Sequence, residues 1–441
     1  GQVAGVGHSA DEARLAAQCA RPKEKAKLRF ITVDDWQDHP LLRRLRGFLK
    51  YRHADVLLVG GAVRDGLLGR PLHDFDFTVN GDATALAAAV ARAFHGAFVP
   101  LDPGRNIARV VVRHAGRRFD VDFAQRQGDD WLADLQARDF TVNAIAVDLD
   151  GRYLDPLSGR DDLAAGLLRA ASENAFRNDP LRTLRAVRLA AELGFTATPD
   201  TLAWIRRDAH LVPRVSGERV RDEFVRILAA PDAARHLTLL AELNLLDHVL
   251  PECAALRGVE QSPPHQWDVW THTCTAVTAI ESVLACLAGR EEAPRAPPLP
   301  AWTWTSLQKR LAPLAEDLMT HLNQVLSDTR TRRQGLKLAV LLHDVGKPQT
   351  QSVGDDGRIH FYRHEQVGPE LAAERLRALR FSNAEIEQVQ TIVAHHMRPV
   401  HLSESKGPTR RAIYRFFKAM GDAGVEVVLL SLADQLAVYG K

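Results

Sequence analysis

The fold of the first part of the chain is decided by residues 57–79, which read LLVGGAVRDGLLGRPLHDFDFTV. A short apolar run ends at Gly60-Gly61, a helix-like stretch follows, and a second apolar run alternates with Asp74 and Asp76. This order predicts a strand, a helix and a second strand. Glycines let a ligand approach the backbone closely, and a helix N-terminus offers unpaired N–H groups. The turn therefore suits a triphosphate.

The carboxylates of Asp74 and Asp76 are predicted to share one face of the second strand, because they are two residues apart. Two carboxylates held together repel unless a cation lies between them, and Mg²⁺ prefers oxygen ligands while keeping positions for water and phosphate. Metal there would activate an attacking hydroxyl and steady a leaving pyrophosphate. Residues 109–123 predict a β-hairpin, from which Asp120 or Asp122 would supply a third catalytic carboxylate; we favour Asp120.

Composition and charge exclude several classes of protein. The 441 residues are 46% hydrophobic and 25% charged, ordinary globular values that allow about two to four domains. The net charge of +2 excludes a strongly basic coat, but one basic face for nucleic acid can be hidden in a neutral total. Four cysteines without a CxxC pair, and no apolar run of about 18 residues, predict a cytoplasmic protein without a membrane partner.

Three ordered motifs carry a family resemblance. Residues 57–79 resemble the signature of class II tRNA nucleotidyltransferases and bacterial poly(A) polymerases. Residues 138–144, RDFTVNA, are similar to the family's RRDFTINA motif, and residues 178–182, NDPLR, are similar to its EDxxR motif and precede a neck-helix pattern. The resemblance implies an α+β fold, in which a polymerase-beta-like head with a mixed sheet and helices is followed by an all-helical neck and body.

The resemblance also implies roles for individual residues. Asp74 and Asp76 would bind the catalytic metals. Asp179 and Arg182 would read the base edge without a nucleic-acid template, because carboxylate and guanidinium have opposite donor and acceptor patterns. The implied nucleotide-binding residues are Gly60, Gly61 and Arg64 at the triphosphate, Arg138, Asp139 and Asn143 by the ribose and phosphates, Asp179 and Arg182 at the base, and Arg185 and Arg188 at phosphates.

Two further features of the neck are the residue that caps its helix and the role of its arginines. Asn178 stands where the family has an acidic residue, and we expect it to cap the helix that begins at Asp179 or Pro180. A solvated arginine face is the alternative role for Arg185 and Arg188. RNA phosphates are expected to contact neck arginines, namely Arg188, Arg206, Arg207, Arg219, Arg221 and Arg226.

A second constellation, of histidines and aspartates, lies in the mostly helical pattern of residues 265–441. Its order, H…HD…H…HH…D, resembles the HD phosphohydrolase superfamily and implies an all-helical domain. Imidazole and carboxylate ligands suit a divalent transition metal such as Mn²⁺, Ni²⁺ or Fe²⁺. Lys347 would contact phosphate. The implied ligands are His272, His343, Asp344 and Asp434 for one metal, and His364 with His395 or His396 for a second.

Adjacent His343 and Asp344 would project about 100° apart on a helix, so both can reach one metal only near a helix end or at a suitable metal position. The alternative is a degenerate domain that keeps its ligands without turnover. The predicted organisation is a flexible arm at residues 1–30, the head at 31–170, the RNA-binding neck and body at 171–264, and the HD domain at 265–441 with a proline-rich insertion near 290–335.

The predicted function is addition of C and/or A, from CTP and ATP, to the 3′ end of tRNA with Mg²⁺. The HD domain would hydrolyse a phosphate ester, such as a 2′,3′-cyclic or terminal phosphate at an RNA end. A CC-only or A-only enzyme and a poly(A) polymerase share the same motifs and stay open, as does the oligomeric state. An RNA-binding protein with an inactive site is the remaining alternative, and the intact Asp74 and Asp76 pair argues against it.

Overall fold

The computed structural model describes residues 35–290, 301–403 and 407–439. The predicted arm at residues 1–30 and most of the proline-rich stretch, residues 291–300, lie outside the described residues. The predicted α+β class is confirmed, with a mixed sheet first and mainly helices after it.

Contacts along the chain divide it into two compact units. One unit extends to Leu163 and the other begins at Ala164. The finer division into head, neck and body, and HD domain stays a prediction.

The described part of the first unit is built around a seven-stranded sheet. The spatial order is β3-β4-β5-β2-β1-β6-β7, in which β2 and β5 run parallel and all other neighbours run antiparallel. The hairpin predicted at residues 109–123 is confirmed as β4 and β5. The strands are β1 (Val56–Val59), β2 (Asp74–Val79), β3 (Ala97–Asp102), β4 (Ile107–His114), β5 (Arg117–Gln125), β6 (Ala146–Val147) and β7 (Tyr153–Leu154).

The register between β2 and β5 is held by aromatic packing on one face of the sheet. Phe75 stacks on Phe119 with ring centroids 6.0 Å apart, and Phe77 stacks on Phe123 at 5.4 Å. Each buried phenylalanine contributes about 1.5–3 kcal/mol. A slip of one residue would bury aspartates instead of these rings, so the packing fixes the opposite face as the carboxylate face.

Helices of the first unit cover and connect the strands. The helix Pro40–Tyr51 has proline in its first turn and buries four leucines. The helix Ala83–Phe94 begins where the Asp82 side chain accepts a hydrogen bond from the Ala85 N–H. The remaining α-helices of this unit are Gly61–Leu67, Trp131–Gln136 and Gly159–Ala164, the last of which ends at the boundary.

The second unit begins with a short strand, Leu167–Leu168, which pairs in parallel with Thr196–Ala197, and continues with helices that match the neck pattern. The predicted neck helix is confirmed as Leu181–Leu193, and it ends at Gly194 in the left-handed conformation, φ 70°. It packs against the helix Gly217–Ala229. The other helices of this section are Ala175–Asn178, Pro199–Asp208, Ala233–Glu242, Leu246–Val249 and Pro251–Ala254.

The rest of the second unit is a helical bundle whose members pack on one another in pairs. Two short antiparallel ribbons, Val325–Ser327 with Arg330–Thr331 and Gln351–Val353 with Ile359–Phe361, interrupt the all-helical pattern that the sequence predicts. The helices are Val269–Leu287, Ala301–Leu311, Ala315–Leu322, Arg332–Leu342, Lys347–Thr350, His364–Ala378, Asn383–His395, Arg398–Ser403, Arg410–Met420 and Gly424–Tyr439.

None of the helices in the described ranges combines the length and the apolar character needed to span a bilayer.

Candidate active sites

The carboxylate face of the head sheet brings four aspartates together. The parallel register places Asp74 beside Asp120 and Asp76 beside Asp122. Partial removal from water, with the nearby charges of Asp65 and Asp122, raises the pKa of Asp74. Like charges crowded in this way favour a divalent cation with oxygen ligands, so the residues present fit Mg²⁺.

The predicted third carboxylate has competing partners. Asp120 accepts hydrogen bonds on one oxygen from Arg118 Nε at 2.9 Å and on the other from Arg109 Nη1 at 2.8 Å. Asp122 accepts two bonds from the same Arg109, and these paired carboxylates raise the pKa of the Arg109 guanidinium. Asp120 therefore lies where the sequence predicts it, but both its oxygens are engaged by arginines, and its catalytic role stays a prediction.

The turn before the helix Gly61–Leu67 brings the backbone so close to Asp76 that only glycine fits. Gly60 has φ 73°, and a Cβ atom there would lie 2.9 Å from Asp76 Oδ2. The pairing of Val59 with Asp76 across β1 and β2 explains this proximity. The glycine turn and Asp76 are thus adjacent, as the predicted site requires.

Replacing Gly60 with alanine is expected to lower nucleotide incorporation by at least about 10-fold, because the new methyl group displaces Asp76. Left-handed backbone also costs about 1–2 kcal/mol for a non-glycine residue. Gly69→Ala is a matched control, since Gly69 has φ 64° and open space around its Cβ position. Similar melting temperatures with a selective loss of incorporation in Gly60→Ala would support the contact, whereas equal activities would contradict it.

A chain of hydrogen bonds connects three further predicted residues. The buried guanidinium of Arg64 donates to Asn143 Oδ1 at 2.8 Å, and Asn143 Nδ2 donates to Asp139 Oδ1 at 3.0 Å. Arg64 also pairs with Asp65 at 2.9 Å. The helix Gly61–Leu67 and the 3₁₀ turn Thr141–Asn143 are therefore joined through polar side chains, as expected of residues that serve one ligand.

Arg138 takes a different partner from its motif neighbours. Its Nη2 donates to Asp134 Oδ2 at 3.2 Å, one helical turn earlier. Asp134 is buried and accepts on its other oxygen from Thr78 Oγ1 and the Gln127 N–H. Asp134 therefore connects the Arg138 side chain to Thr78 of strand β2.

The residues of the third motif lie at the start of the neck helix. Asp179 Oδ1 accepts from the Leu181 N–H at 3.2 Å, and Oδ2 pairs with Arg219 at 2.8 Å. Arg182 Nη1 donates to the Ala175 carbonyl. The expectation that Asn178 caps this helix is wrong: Asn178 ends the preceding helix, and Asp179 supplies the bond to the first turn.

The neck arginines differ in exposure. Arg185 is exposed. Arg188 is only 4% exposed and pairs with Glu192 at 2.7 Å and with Glu223. This burial argues against the predicted phosphate contact of Arg188, because its donors already hold two helices together. The other neck arginines that pair with carboxylates are Arg207, Arg219, Arg221 and Arg226, while Arg206 donates to a backbone carbonyl.

The histidine–aspartate constellation forms two adjoining groups of buried side chains that could hold a metal. In the first, His272, His343 and Asp434 place their ligand atoms within 4.8 Å of one another. His343 follows the helix Arg332–Leu342 as its C-cap residue. This helix end resolves the geometric difficulty of an adjacent pair, because His343 and Asp344 no longer have to project from a continuous helix.

The second group consists of Asp344, His364 and His396. Asp344 faces both groups: its Oδ2 lies 3.2 Å from His343 Nε2, and its Oδ1 lies 3.6 Å from His364 Nε2. His395 lies outside both groups and is half-buried, whereas His396 is buried. Of the two alternatives for this position, the structure favours His396 as a candidate ligand, because consecutive residues at a helix end point in different directions and His396 is the buried one.

Backbone carbonyls orient three of the ligand histidines. The Nδ1 atoms of His343, His364 and His396 lie 2.7, 2.8 and 2.7 Å from the carbonyls of Val340, Phe361 and Val393. Each bond assigns the proton to Nδ1 and directs Nε2 to the interior, which is the arrangement of metal-binding histidines.

Unsatisfied polar atoms at the same place test the fit to metal. His343 Nε2 and Asp344 Oδ2 are buried and make no hydrogen bond among the described residues, although the Lys347 ammonium lies 2.7 Å from Asp344 Oδ2 and balances its charge. Burial and the neighbouring His343 and His364 lower the pKa of His396 to about 3, so its imidazole is neutral near pH 7. Neutral imidazole beside carboxylates fits a divalent metal.

A cavity of about 340 Å³ opens onto these ligands. Lys347 Nζ lies 2.7 Å from Asp344 Oδ2 at its wall, where the sequence predicts a phosphate contact. The ribbon at 351–361 adds His360, whose ring stacks on exposed Tyr362 at 5.1 Å. His265, next to His272, was missed by sequence reasoning, because it stands outside the ordered series and its position depends on a proline-rich loop.

The fold and the two sites define a polymerase-type nucleotidyltransferase joined to an HD domain. Sequence profiles agree with this class. One described as "Poly A polymerase head domain" matches residues 56–169, one described as "Probable RNA and SrmB- binding site of polymerase A" matches 194–256, and one described as "HD domain" matches 309–439.

Individual relatives carry the identification further. The chain is 35% identical over 389 residues to an A-adding tRNA nucleotidyltransferase of Deinococcus radiodurans, covering 87% of this chain and 76% of that protein. It is 35% identical over 397 residues to a CC-adding tRNA nucleotidyltransferase of Thermus thermophilus, covering 88% and 78%. The chain therefore belongs to the tRNA nucleotidyltransferase family.

Solved structures agree on the fold. The CCA-adding enzyme of Thermotoga maritima, complexed with tRNA, superposes with a TM-score of 0.60 at 21% identity over 93% of this chain and 85% of that chain. At this identity the likeness supports the architecture alone.

Proposed function

We propose that this protein adds C and/or A to the 3′ end of tRNA without a nucleic-acid template. The observation that carries the proposal is the contact between the glycine turn and Asp76 on the carboxylate face, which unites a phosphate-binding turn with a metal-binding pair. In the reaction, the terminal 3′ oxygen of the RNA attacks the α-phosphate of CTP or ATP. A new bond forms between the 3′ oxygen and the α-phosphorus. The bond between the α-phosphorus and the oxygen that bridges it to the β-phosphorus breaks, and pyrophosphate leaves with that oxygen.

The head residues divide the work of holding the nucleotide. Asp74 and Asp76 would hold Mg²⁺, which when bound lowers the pKa of the hydroxyl and neutralises developing charge. Gly60 and Gly61 leave space for the triphosphate. Arg64 would contact it by exchanging one of its present partners, Asp65 or Asn143, for a phosphate oxygen. Arg138 and Asp139 belong near the ribose and phosphates.

Replacing Asp179 with alanine is expected to relax the choice among nucleotides, because the acceptor for the base edge is lost. Misincorporation of U and G relative to C should rise about 10-fold or more, since a site built for hydrogen bonds rejects a wrong partner by leaving polar groups unpaired. Arg219→Gln is the matched control: it breaks the ion pair with Asp179 but keeps the carboxylate. Unchanged selection in Asp179→Ala, measured with each nucleotide alone, would defeat the base-reading role.

For the second site we propose a metal-dependent phosphohydrolase that acts on a phosphate ester, such as a 2′,3′-cyclic or terminal phosphate at an RNA end. His272, His343, Asp344 and Asp434 would hold one transition metal such as Mn²⁺, Ni²⁺ or Fe²⁺. His364 and His396, with the second oxygen of Asp344, would hold another. When bound, these metals would supply Lewis acidity that activates a water. Lys347 supports this proposal, because its ammonium lies at the cavity wall where a phosphate would enter.

Addition of only CC or only A is the second candidate function of the head, and the relatives support it. An A-adding and a CC-adding relative are equally identical to this chain, at 35%. The deciding experiment uses tRNAs that end before CCA, after C and after CC, each with CTP, ATP or both, followed by sequencing of the products. Extension of the first tRNA to CCA supports full addition, whereas extension that stops at CC or starts only after CC assigns a partial enzyme. Long A tracts would assign poly(A) synthesis, and no extension would leave an RNA-binding protein.

The cytoplasm is the proposed compartment. Cys253, Cys274 and Cys286 are free and buried, so none forms a disulfide among the described residues. Burial raises the pKa of the Cys274 thiol to about 12, which leaves it unreactive. Buried reduced thiols suit a reducing environment.

A further inference from the structure

The helix Arg410–Met420 in the second unit has no role in either proposed site. Its sequence is RRAIYRFFKAM. It begins after Thr409, whose side chain accepts from the Ala412 N–H, and ends at Gly421 with φ 54°. Only Phe416 and Met420 are buried, so most of the helix surface faces outward.

The outward surface carries large apolar side chains. Tyr414 is 65% exposed, and Ile413 and Phe417 are each 42% exposed. Single exposed apolar residues are ordinary, but three within five residues of one helix form a patch. Such a patch indicates a binding surface.

The same surface carries four cations and no carboxylate of its own. Arg410, Arg411, Arg415 and Lys418 are exposed, and none forms an ion pair with a described residue. The neck arginines differ, because most of them pair with carboxylates of their own unit. Unneutralised positive charge in this helix is therefore available to a polyanion.

One ring of this helix lies among the cations. At about 100° per residue, Arg410, Tyr414, Lys418, Arg411 and Arg415 follow one another around one side of the helix, whereas Ile413 and Phe417 lie beside the buried Phe416 and Met420 on the other side. Lys418 Nζ lies 6.0 Å from the Tyr414 ring centroid, which shows the two side chains side by side. A ring among cations suits RNA, because RNA presents phosphates and stackable bases together.

We propose that the helix Arg410–Met420 is an RNA-binding surface, where Arg411 and Arg415 pair with phosphates and Tyr414 stacks on an unpaired base. The inference rests on the proposed function, in which tRNA is the substrate. A second copy of the chain fits this surface poorly, because two such helices face to face would oppose four cations with four cations.

The test measures binding of a 5′-fluorescein-labelled tRNA that ends before CCA, by anisotropy over a series of KCl concentrations. Arg411→Gln/Arg415→Gln in the full chain should weaken binding about 10-fold and reduce the slope of log K against log salt by about 1.4–1.8, since each phosphate contact contributes about 0.7–0.9. Tyr414→Ala should weaken binding without changing the slope. The matched control is Lys309→Gln/Arg310→Gln, which removes the same charge from exposed positions of another helix and should change neither value.

Each outcome decides the inference. Equal tRNA affinity in the Arg411/Arg415 and Lys309/Arg310 variants overturns it. If the Arg411/Arg415 variant keeps its tRNA affinity but no longer binds phosphatidylglycerol vesicles, the inference is overturned and the surface belongs to a membrane. If it keeps its tRNA affinity but loses a dimer in sedimentation, the inference is also overturned and the surface belongs to a second copy of the chain. A wild-type protein that neither binds nor extends tRNA defeats the proposed function itself, whereas wild-type extension with unchanged variant affinity defeats this inference alone.

Discussion

Asp76→Ala is expected to reduce nucleotide incorporation into tRNA by about 10³-fold or more, because a metal ligand and its charge stabilisation of several kcal/mol are lost together. Asp76 lies beside Asp122 on the carboxylate face and next to Gly60. The effect should fall on the chemical step. Single-turnover incorporation of CTP or ATP, measured with excess enzyme, separates that step from RNA binding.

The control for this change is Asp150→Ala, which removes an exposed carboxylate of the same unit that pairs with Lys50. Its incorporation rate should match that of the unchanged protein. Asp76 is half-buried, so the melting temperature of Asp76→Ala should stay within a few degrees. Retained incorporation in a folded Asp76→Ala protein would remove the metal assignment at β2.

His343→Ala is expected to eliminate hydrolysis of phosphate esters and to weaken metal binding by more than about 100-fold. Loss of a residue that only supports a metal ligand lowers metal affinity by about 10–100-fold, and loss of a ligand itself should cost more. Nucleotide addition should persist, because His343 belongs to the second unit and the carboxylate face to the first. Metal content after dialysis, measured by atomic emission, and hydrolysis of bis(p-nitrophenyl) phosphate give two independent readings.

His395→Ala is the matched control, since this histidine neighbours His396 but lies outside both ligand groups. It should keep metal and hydrolysis. His343 is buried, so His343→Gln serves where alanine prevents folding. Unchanged metal content in His343→Gln would contradict the ligand assignment, and loss of both activities in a folded protein would contradict the independence of the two sites.

The local pattern predicted the elements of the head correctly. The alternation of phenylalanine with aspartate in residues 74–77 requires a strand with one buried and one polar face, and the structure has that strand. Gly194 marks the end of the neck helix as predicted, because glycine readily adopts the left-handed conformation in which this helix ends. Asn178 shows the limit of such reasoning: a short helix ends at Asn178, the neck helix begins at Leu181, and the bond to its first turn comes from Asp179.

The sequence by itself determined the strand that presents Asp74 and Asp76, since the alternation of apolar and acidic residues is a local pattern. The α+β class and the histidine ligand set followed from the resemblance of ordered motifs to known families. Only the tertiary structure decided that Arg109 engages Asp120, that Arg188 is buried against Glu223, and that His396 faces inward. The physical reason is distance along the chain. Strand register, the helix partners of a charge and the rotation of a helix end depend on contacts between remote segments, which a local pattern does not contain.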